Sequence, residues 1–110
     1  LEGDEVGMVI YSAAVPFFPE AEKFAKMGMI PGGLRRNRDF RASMVNIEKA
    51  VPDYMSDILF DPQTSGGLLI SVAAEKAQNL LKRMHQEGIR EAAIIGEVVA
   101  EPKGRIIVKP

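Results

Sequence analysis

At 110 residues, with 14 basic and 15 acidic side chains and a net charge of -1, the chain lacks the strongly basic footprint of a nucleic-acid binder. Its 46% apolar and 26% charged content describes one soluble globular domain and excludes a disordered tail. Six methionines read as core filler. The absence of cysteine excludes disulfides, thiolate metal sites and a cysteine nucleophile, and it fits a reducing cytoplasm.

In chain order, residues 6–11 (Val-Gly-Met-Val-Ile-Tyr) predict a strand. Pro19 suits the first position of a helix over residues 20–27, which Gly28 ends. Ile30-Pro31-Gly32-Gly33-Leu34-Arg35-Arg36-Asn37-Arg38 reads as a loop with two glycines and three arginines. Periodicity is indistinct over residues 39–57; residues 45–51 fit a helical turn that Pro52 stops, and residues 58–60 a short strand. Residues 67–72 predict a buried strand with only Ser71 polar. Residues 73–86 predict a helix whose Ala77, Leu80, Leu81 and Met84 share one face. Residues 92–99 predict a strand broken at Gly96, and residues 105–108 a last one. The turn Glu101-Pro102-Lys103-Gly104 would join these two as an antiparallel pair. The expected class is α+β, a mixed or antiparallel sheet packed with helices and ferredoxin-like in part.

Chemistry concentrates in two places. In Asp61-Pro62-Gln63-Thr64-Ser65-Gly66-Gly67 a proline-fixed turn, two hydroxyls and two glycines can present successive N–H groups to an anion. No Gly-Lys-Ser/Thr follows, so it is not a Walker A loop; a polar turn that caps its own backbone is the plain alternative. In Gly32-Gly33-Leu34-Arg35-Arg36-Asn37-Arg38 guanidinium forks suit phosphate or carboxylate, against the alternative of a solvated loop. Asn37 is the residue least explained by solubility. Asp53, Asp57 and Asp61, spaced by four, would share a helical face and could hold Mg²⁺, but Pro52 and Pro62 argue against a continuous helix. His85 sits late in its helix with no partner for metal or catalysis. No apolar run approaches the roughly 20 residues of a membrane-spanning helix. Leu1 to Glu5 does not read as a signal peptide, and the missing initiator methionine predicts a chain cut from a longer one.

The run Asp61-Pro62-Gln63-Thr64-Ser65-Gly66-Gly67-Leu68-Leu69-Ile70 resembles the signature in the C-terminal half of the selenophosphate synthetase (selenide, water dikinase) family. Pro31-Gly32-Gly33-Leu34-Arg35-Arg36-Asn37 is similar to that family's glycine- and arginine-containing loop, and Ile94-Ile95-Gly96-Glu97-Val98 to its penultimate strand. The resemblance implies the C-terminal domain of a two-domain enzyme related to aminoimidazole-ribonucleotide synthetase. Its parent would be a cytoplasmic homodimer that uses ATP, Mg²⁺, selenide and water to make selenophosphate, AMP and phosphate. The family's N-terminal glycine-rich loop with its cysteine or selenocysteine and lysine, and its metal-binding aspartates, have no counterpart here. ATP and Mg²⁺ are therefore expected mainly outside this chain, in a missing N-terminal partner domain, and the 110 residues alone are expected to be inactive. Gly32, Gly33, Arg35, Arg36 and Asn37 would face the interdomain cleft, with Asp61, Gln63, Thr64, Ser65, Gly66 and Gly67 as its other polar edge. The rival readings are another ATP-dependent synthetase or kinase of the same superfamily, or a non-enzymatic module that binds a partner through its basic loop.

Overall fold

The computed structural model describes residues 3–62 and 66–110. Strand β1, Gly7–Tyr11, forms where β-branched and apolar residues alternate faces. After a 3₁₀ turn at Ser12–Ala14, helix α1 (Pro19–Lys26) starts on its proline, with Glu20 and Glu22 in the first turn and Lys23 and Lys26 in the last. Those charges oppose the helix dipole at both ends. Gly28 takes a positive φ of 73°, and the amides of Gly28 and Met29 return to the carbonyls of Ala25 and Phe24 to close the helix. Then follow α2 (Gly32–Arg41), β2 (Val45–Ile47), α3 (Asp53–Leu59), α4 (Ala74–Gln86), β3 (Gly96–Val99) and β4 (Ile106–Lys109). An α+β chain with a mixed sheet is the observed class.

The strands form one sheet in the order β2-β4-β1-β3. β1 runs parallel to β4 and antiparallel to β3, and β2 runs parallel to β4. The register Ile10↔Val108 and Ile47↔Val108 puts Ile10, Ile47 and Val108 on one face, which α3 covers. There Val51, Met55 and Val108 are buried, with Tyr54, Ile58 and Leu59 of α3 packed around them. Each such burial contributes about 1.5–3 kcal/mol. On the opposite face the Tyr11 hydroxyl donates to Glu97 Oε1 across the β1–β3 pair at 2.9 Å. That hydrogen bond, and secondarily the carboxylate charge, hold the phenol above its ordinary pKa.

Five expectations need correction. The terminal strands are not a hairpin, because β1 lies between them. The connection from β3 to β4 instead crosses the start of β1, where the Gly104 amide donates to the Val6 carbonyl at 2.8 Å. A Cβ on Gly7 would fall on the Pro102 carbonyl oxygen, so this crossing requires glycine there. Of residues 30–38, expected as a loop, only Ile30 and Pro31 are one. Two glycines at the helix start cost little when Pro31 sets the extended entry, and Gly32–Arg41 is helical. The helical turn expected over residues 45–51 is confined to a turn at 48–51, where the Val51 amide bonds to the Glu48 carbonyl; β-branched Val45 and Ile47 instead pair beside β4 as β2. Residues 58–60 are not a strand, since Pro52 begins a helix rather than ending one and α3 runs to Leu59. Lastly, residues 67–72 form no strand and are not buried: Leu68 is 90% exposed and Leu69 68%. A strand needs a neighbouring ladder, and no strand of this sheet pairs with them.

The strand expected over residues 92–99 begins only at Gly96. α4 matches its predicted bounds closely, with Gly88 at φ 90° beyond its end. Its apolar stripe is only half-buried, and the His85 Nε2 donates to the Ala92 carbonyl at 2.8 Å to tie its end to the approach to β3. No helix among the described residues is long and apolar enough to cross a membrane.

At Gly96 a Cβ would fall on the Val9 carbonyl oxygen. Gly96→Ala is therefore expected to cost about 1–3 kcal/mol by forcing β1 and β3 apart. A thermal melt should show the midpoint fall by several degrees, whereas Gly32→Ala, where a Cβ meets open space, should leave it nearly unchanged.

Candidate functional site

The helical state of residues 32–41 sorts the arginine cluster by face. Leu34, Asn37, Arg38 and Arg41 recur at the i, i+3, i+4, i+7 spacing of a single stripe. Leu34 is 2% exposed and anchors that stripe, Arg38 is half-buried, and Asn37 and Arg41 are exposed. Arg35 and Arg36 lie off that stripe and are exposed. A loop reading treats these three arginines as equivalent; the helix makes them different.

This stripe meets the end of α3. Arg38 donates to Asp57 Oδ1 at 2.6 Å and to Ser56 Oγ at 2.9 Å, and its guanidinium stands 5.5 Å from the centre of the Phe60 ring. Asn37 Nδ2 donates to the Phe60 carbonyl at 3.1 Å. Helix α3 has no basic residue in its own last turn, and its terminal carbonyls need donors. α2 supplies both the donor and the positive charge. One turn earlier, a Cβ on Gly33 would lie 2.9 Å from Pro62 Cγ, so the start of α2 touches the proline that follows Asp61. The Asp61 amide returns to Ile58 at 3.1 Å, which winds the chain directly out of α3.

The structure thus brings Gly33 and Asn37 of one motif against Phe60 and Pro62 at the entrance to the other. Gly32 is exposed and a side chain there would meet nothing. Asp61 is half-buried, and Gly66 and Gly67 are exposed. Gln63, Thr64 and Ser65 lie outside the described residues. Among the described residues no three His, Asp or Glu side chains are grouped to hold a metal ion. Asp57 is committed to Arg38, so Asp53, Asp57 and Asp61 are not a shared carboxylate face. Two shallow clefts of about 450 and 470 Å³ lie on α4 and α1, and neither is lined by a candidate residue.

Chemically, α2 offers the exposed guanidinium groups of Arg35 and Arg36 near a helix N-terminus. That combination of donors suits phosphate oxygens rather than a divalent cation, which would want carboxylates. Sequence reasoning passed over the pairing of Arg38 with Ser56 and Asp57. The four-residue step from Leu34 to Arg38 carried that signal, once residues 32–41 are read as a helix.

The chain belongs to the family of AIR synthase related proteins, whose C-terminal domain matches residues 1–109. Within it, the chain is similar to enzymes named selenide, water dikinase. That of Pelobacter propionicus is 52% identical over 103 residues, covering 94% of this chain and 30% of the relative. Selenide, water dikinase 2 of Peptoclostridium acidaminophilum is 45% identical over 97% of this chain and 30% of its own length. The Clostridioides difficile enzyme is 45% identical over 94% of this chain and 29% of its own length. The chain spans about 30% of the length of these curated relatives.

The two faces of α2 make distinct expectations for alanine scanning. Arg38→Ala should cost about 1–2 kcal/mol in chemical denaturation, because it leaves Asp57 and Ser56 half-buried without their donor. Arg35→Ala and Arg36→Ala should each stay within about 0.5 kcal/mol of the parent.

Proposed function

We propose that this chain is the C-terminal domain of a selenophosphate synthetase, a cytoplasmic, homodimeric enzyme that converts selenide, ATP and water into selenophosphate, AMP and phosphate. The observation that carries the reading is identity of 45–52% to selenide, water dikinases across nearly all of the chain. The contact between Gly33 and Pro62 adds to it, because it sets the two motifs of the resemblance side by side.

In this reading Gly32, Gly33, Arg35 and Arg36 form one cationic edge of an interdomain cleft, and Asp61, Gly66 and Gly67 belong to the other. Transfer of a phosphoryl group needs in-line positioning and neutralisation of charge on the equatorial oxygens. Arginines on a rigid helix can supply part of that charge without reorganising during the reaction. The metal ligands and the nucleophile are assigned to the partner domain, which would hold ATP and Mg²⁺. The same domain would cover apolar surface that this chain leaves open, such as Phe18 at 82% and Leu68 at 90% exposure.

The relatives' names favour this over another ATP-dependent synthetase or kinase of the superfamily, and over a non-enzymatic module. Two measurements separate the readings. The full-length protein carrying this chain is expected to form AMP from ATP only when selenide is present. AMP without selenide dependence would move the assignment to another member of the superfamily, and no ATP consumption would favour the non-enzymatic module. The 110 residues alone are expected to form no AMP and to show no micromolar affinity for Mg·ATP in calorimetry. Micromolar binding would overturn the placement of the nucleotide mainly in the partner domain.

A further inference from the structure

We infer that Asn37 and Arg38 are positioning residues: they clamp the C-terminal end of α3, and with it Asp61 and Pro62, onto α2, rather than binding ligand themselves. The consequence for catalysis rests on the synthetase reading; the clamp itself does not.

Several observations converge on it. Asn37 belongs by composition to the polar, glycine-flanked motif, yet its Nδ2 donates to a backbone carbonyl 23 residues away. That carbonyl, on Phe60, belongs to the residue that caps α3 and immediately precedes Asp61. Arg38 differs from its two arginine neighbours in having both a carboxylate and a hydroxyl within hydrogen-bond distance, on consecutive residues of the last turns of α3. Its guanidinium also faces the Phe60 ring, so charge, hydrogen bonds and stacking all act on one short stretch. Gly33 adds a steric stop at Pro62. α3 is only seven residues long and ends without a cation of its own, and residues 66–72 are exposed. Within α3 the exit is held by backbone bonds, from the Phe60 amide to Asp57 and from the Asp61 amide to Ile58. Two side-chain donors from α2, on the Phe60 carbonyl and the Asp57 carboxylate, tie that same stretch to the neighbouring helix.

Such a clamp explains why asparagine stands at position 37. Aspartate has the same shape but cannot donate, and it would set a negative charge against a carbonyl and a helix C-terminus. The functional consequence is indirect. A small displacement of a group that orients substrate can cost orders of magnitude in rate without changing what is bound.

The test uses amide hydrogen exchange on the full 110-residue chain, followed at the Phe60 and Asp61 amides, which bond to Asp57 and Ile58. Asn37→Asp and Arg38→Ala are expected to accelerate exchange at these two amides about tenfold, with Arg38→Lys partly restoring protection. The Val108 amide in the central strand serves as the control for intact folding. Should either variant unfold, shown by loss of protection at Val108, the milder Asn37→Ala and Arg38→Lys report on the same two amides. Unchanged exchange at Phe60 and Asp61 in folded variants overturns the clamp. In the full-length protein, Asn37→Asp is expected to lower kcat about tenfold or more while leaving KM for ATP unchanged. A raised KM with unchanged kcat would mean that Asn37 contacts ligand, and unchanged kinetics would mean that the clamp serves stability alone. If the unsubstituted full-length protein shows no selenide-dependent AMP formation, the synthetase reading fails, and the exchange result still decides the clamp.

Discussion

The ion pair between Arg38 and Asp57, reinforced by Ser56 and by the amide of Asn37 on Phe60, is the constraint on which the arrangement of the candidate site depends. It joins the last turns of a seven-residue helix to the inner face of α2. An exposed ion pair is worth little by itself. This one is half-buried, charge-assisted and joined to a second hydrogen bond on the same element, so its geometry is held from several sides. Burial of Leu34 supplies the apolar anchor on the same stripe. That docking brings Gly33 against Pro62 and leaves Arg35 and Arg36 exposed.

The sheet provides the frame for this contact. β4 and β1 occupy the centre, and α3 lies over the face built from Ile10, Ile47 and Val108. α3 therefore has two tasks, to cover the sheet through Met55 and Leu59 and to present its C-terminal end to α2. The other half of the molecule is attached differently. α4 buries no residue fully, and in the run from Leu68 to Val72 no side chain is buried. With few buried contacts, α4 and the segment before it belong to the low-stability end of the structure, where local opening is cheapest.

What was legible in the sequence follows the range of the interactions involved. α1 and α4 declare themselves through local signals: Pro19 at the first position, paired charges at the two ends, and glycines 28 and 88 beyond the last turn. β1 and β4 are visible in their β-branched content. The sheet order was hidden, because the crossing of β1 by the connection after β3 depends on Gly7 making room for Pro102, a contact between residues far apart in sequence. The composition of residues 30–38 misled in the opposite direction. Two glycines and a proline read as a loop when weighed by propensity, although at a helix start they cost little, and Leu34 anchors the helix through burial while Asn37 and Arg38 tie it to α3. The apolar run at residues 68–72 has the pattern of a strand, but pattern alone cannot provide the neighbour that a strand requires. For the candidate site, the two motifs were legible separately; that Gly33 and Pro62 touch was not.

The central claim is that the two motifs form one physical unit. The most direct measurement is a proton–proton nuclear Overhauser experiment on the 12.0 kDa chain in solution, between the Gly33 α-protons and the Pro62 ring protons. A Cβ built on Gly33 would stand 2.9 Å from Pro62 Cγ, so a clear cross-peak is expected between these residues. Its absence, in a sample that shows the β1–β4 and β1–β3 cross-strand peaks, would contradict the docking of α2 on the end of α3 and the shared site built upon it.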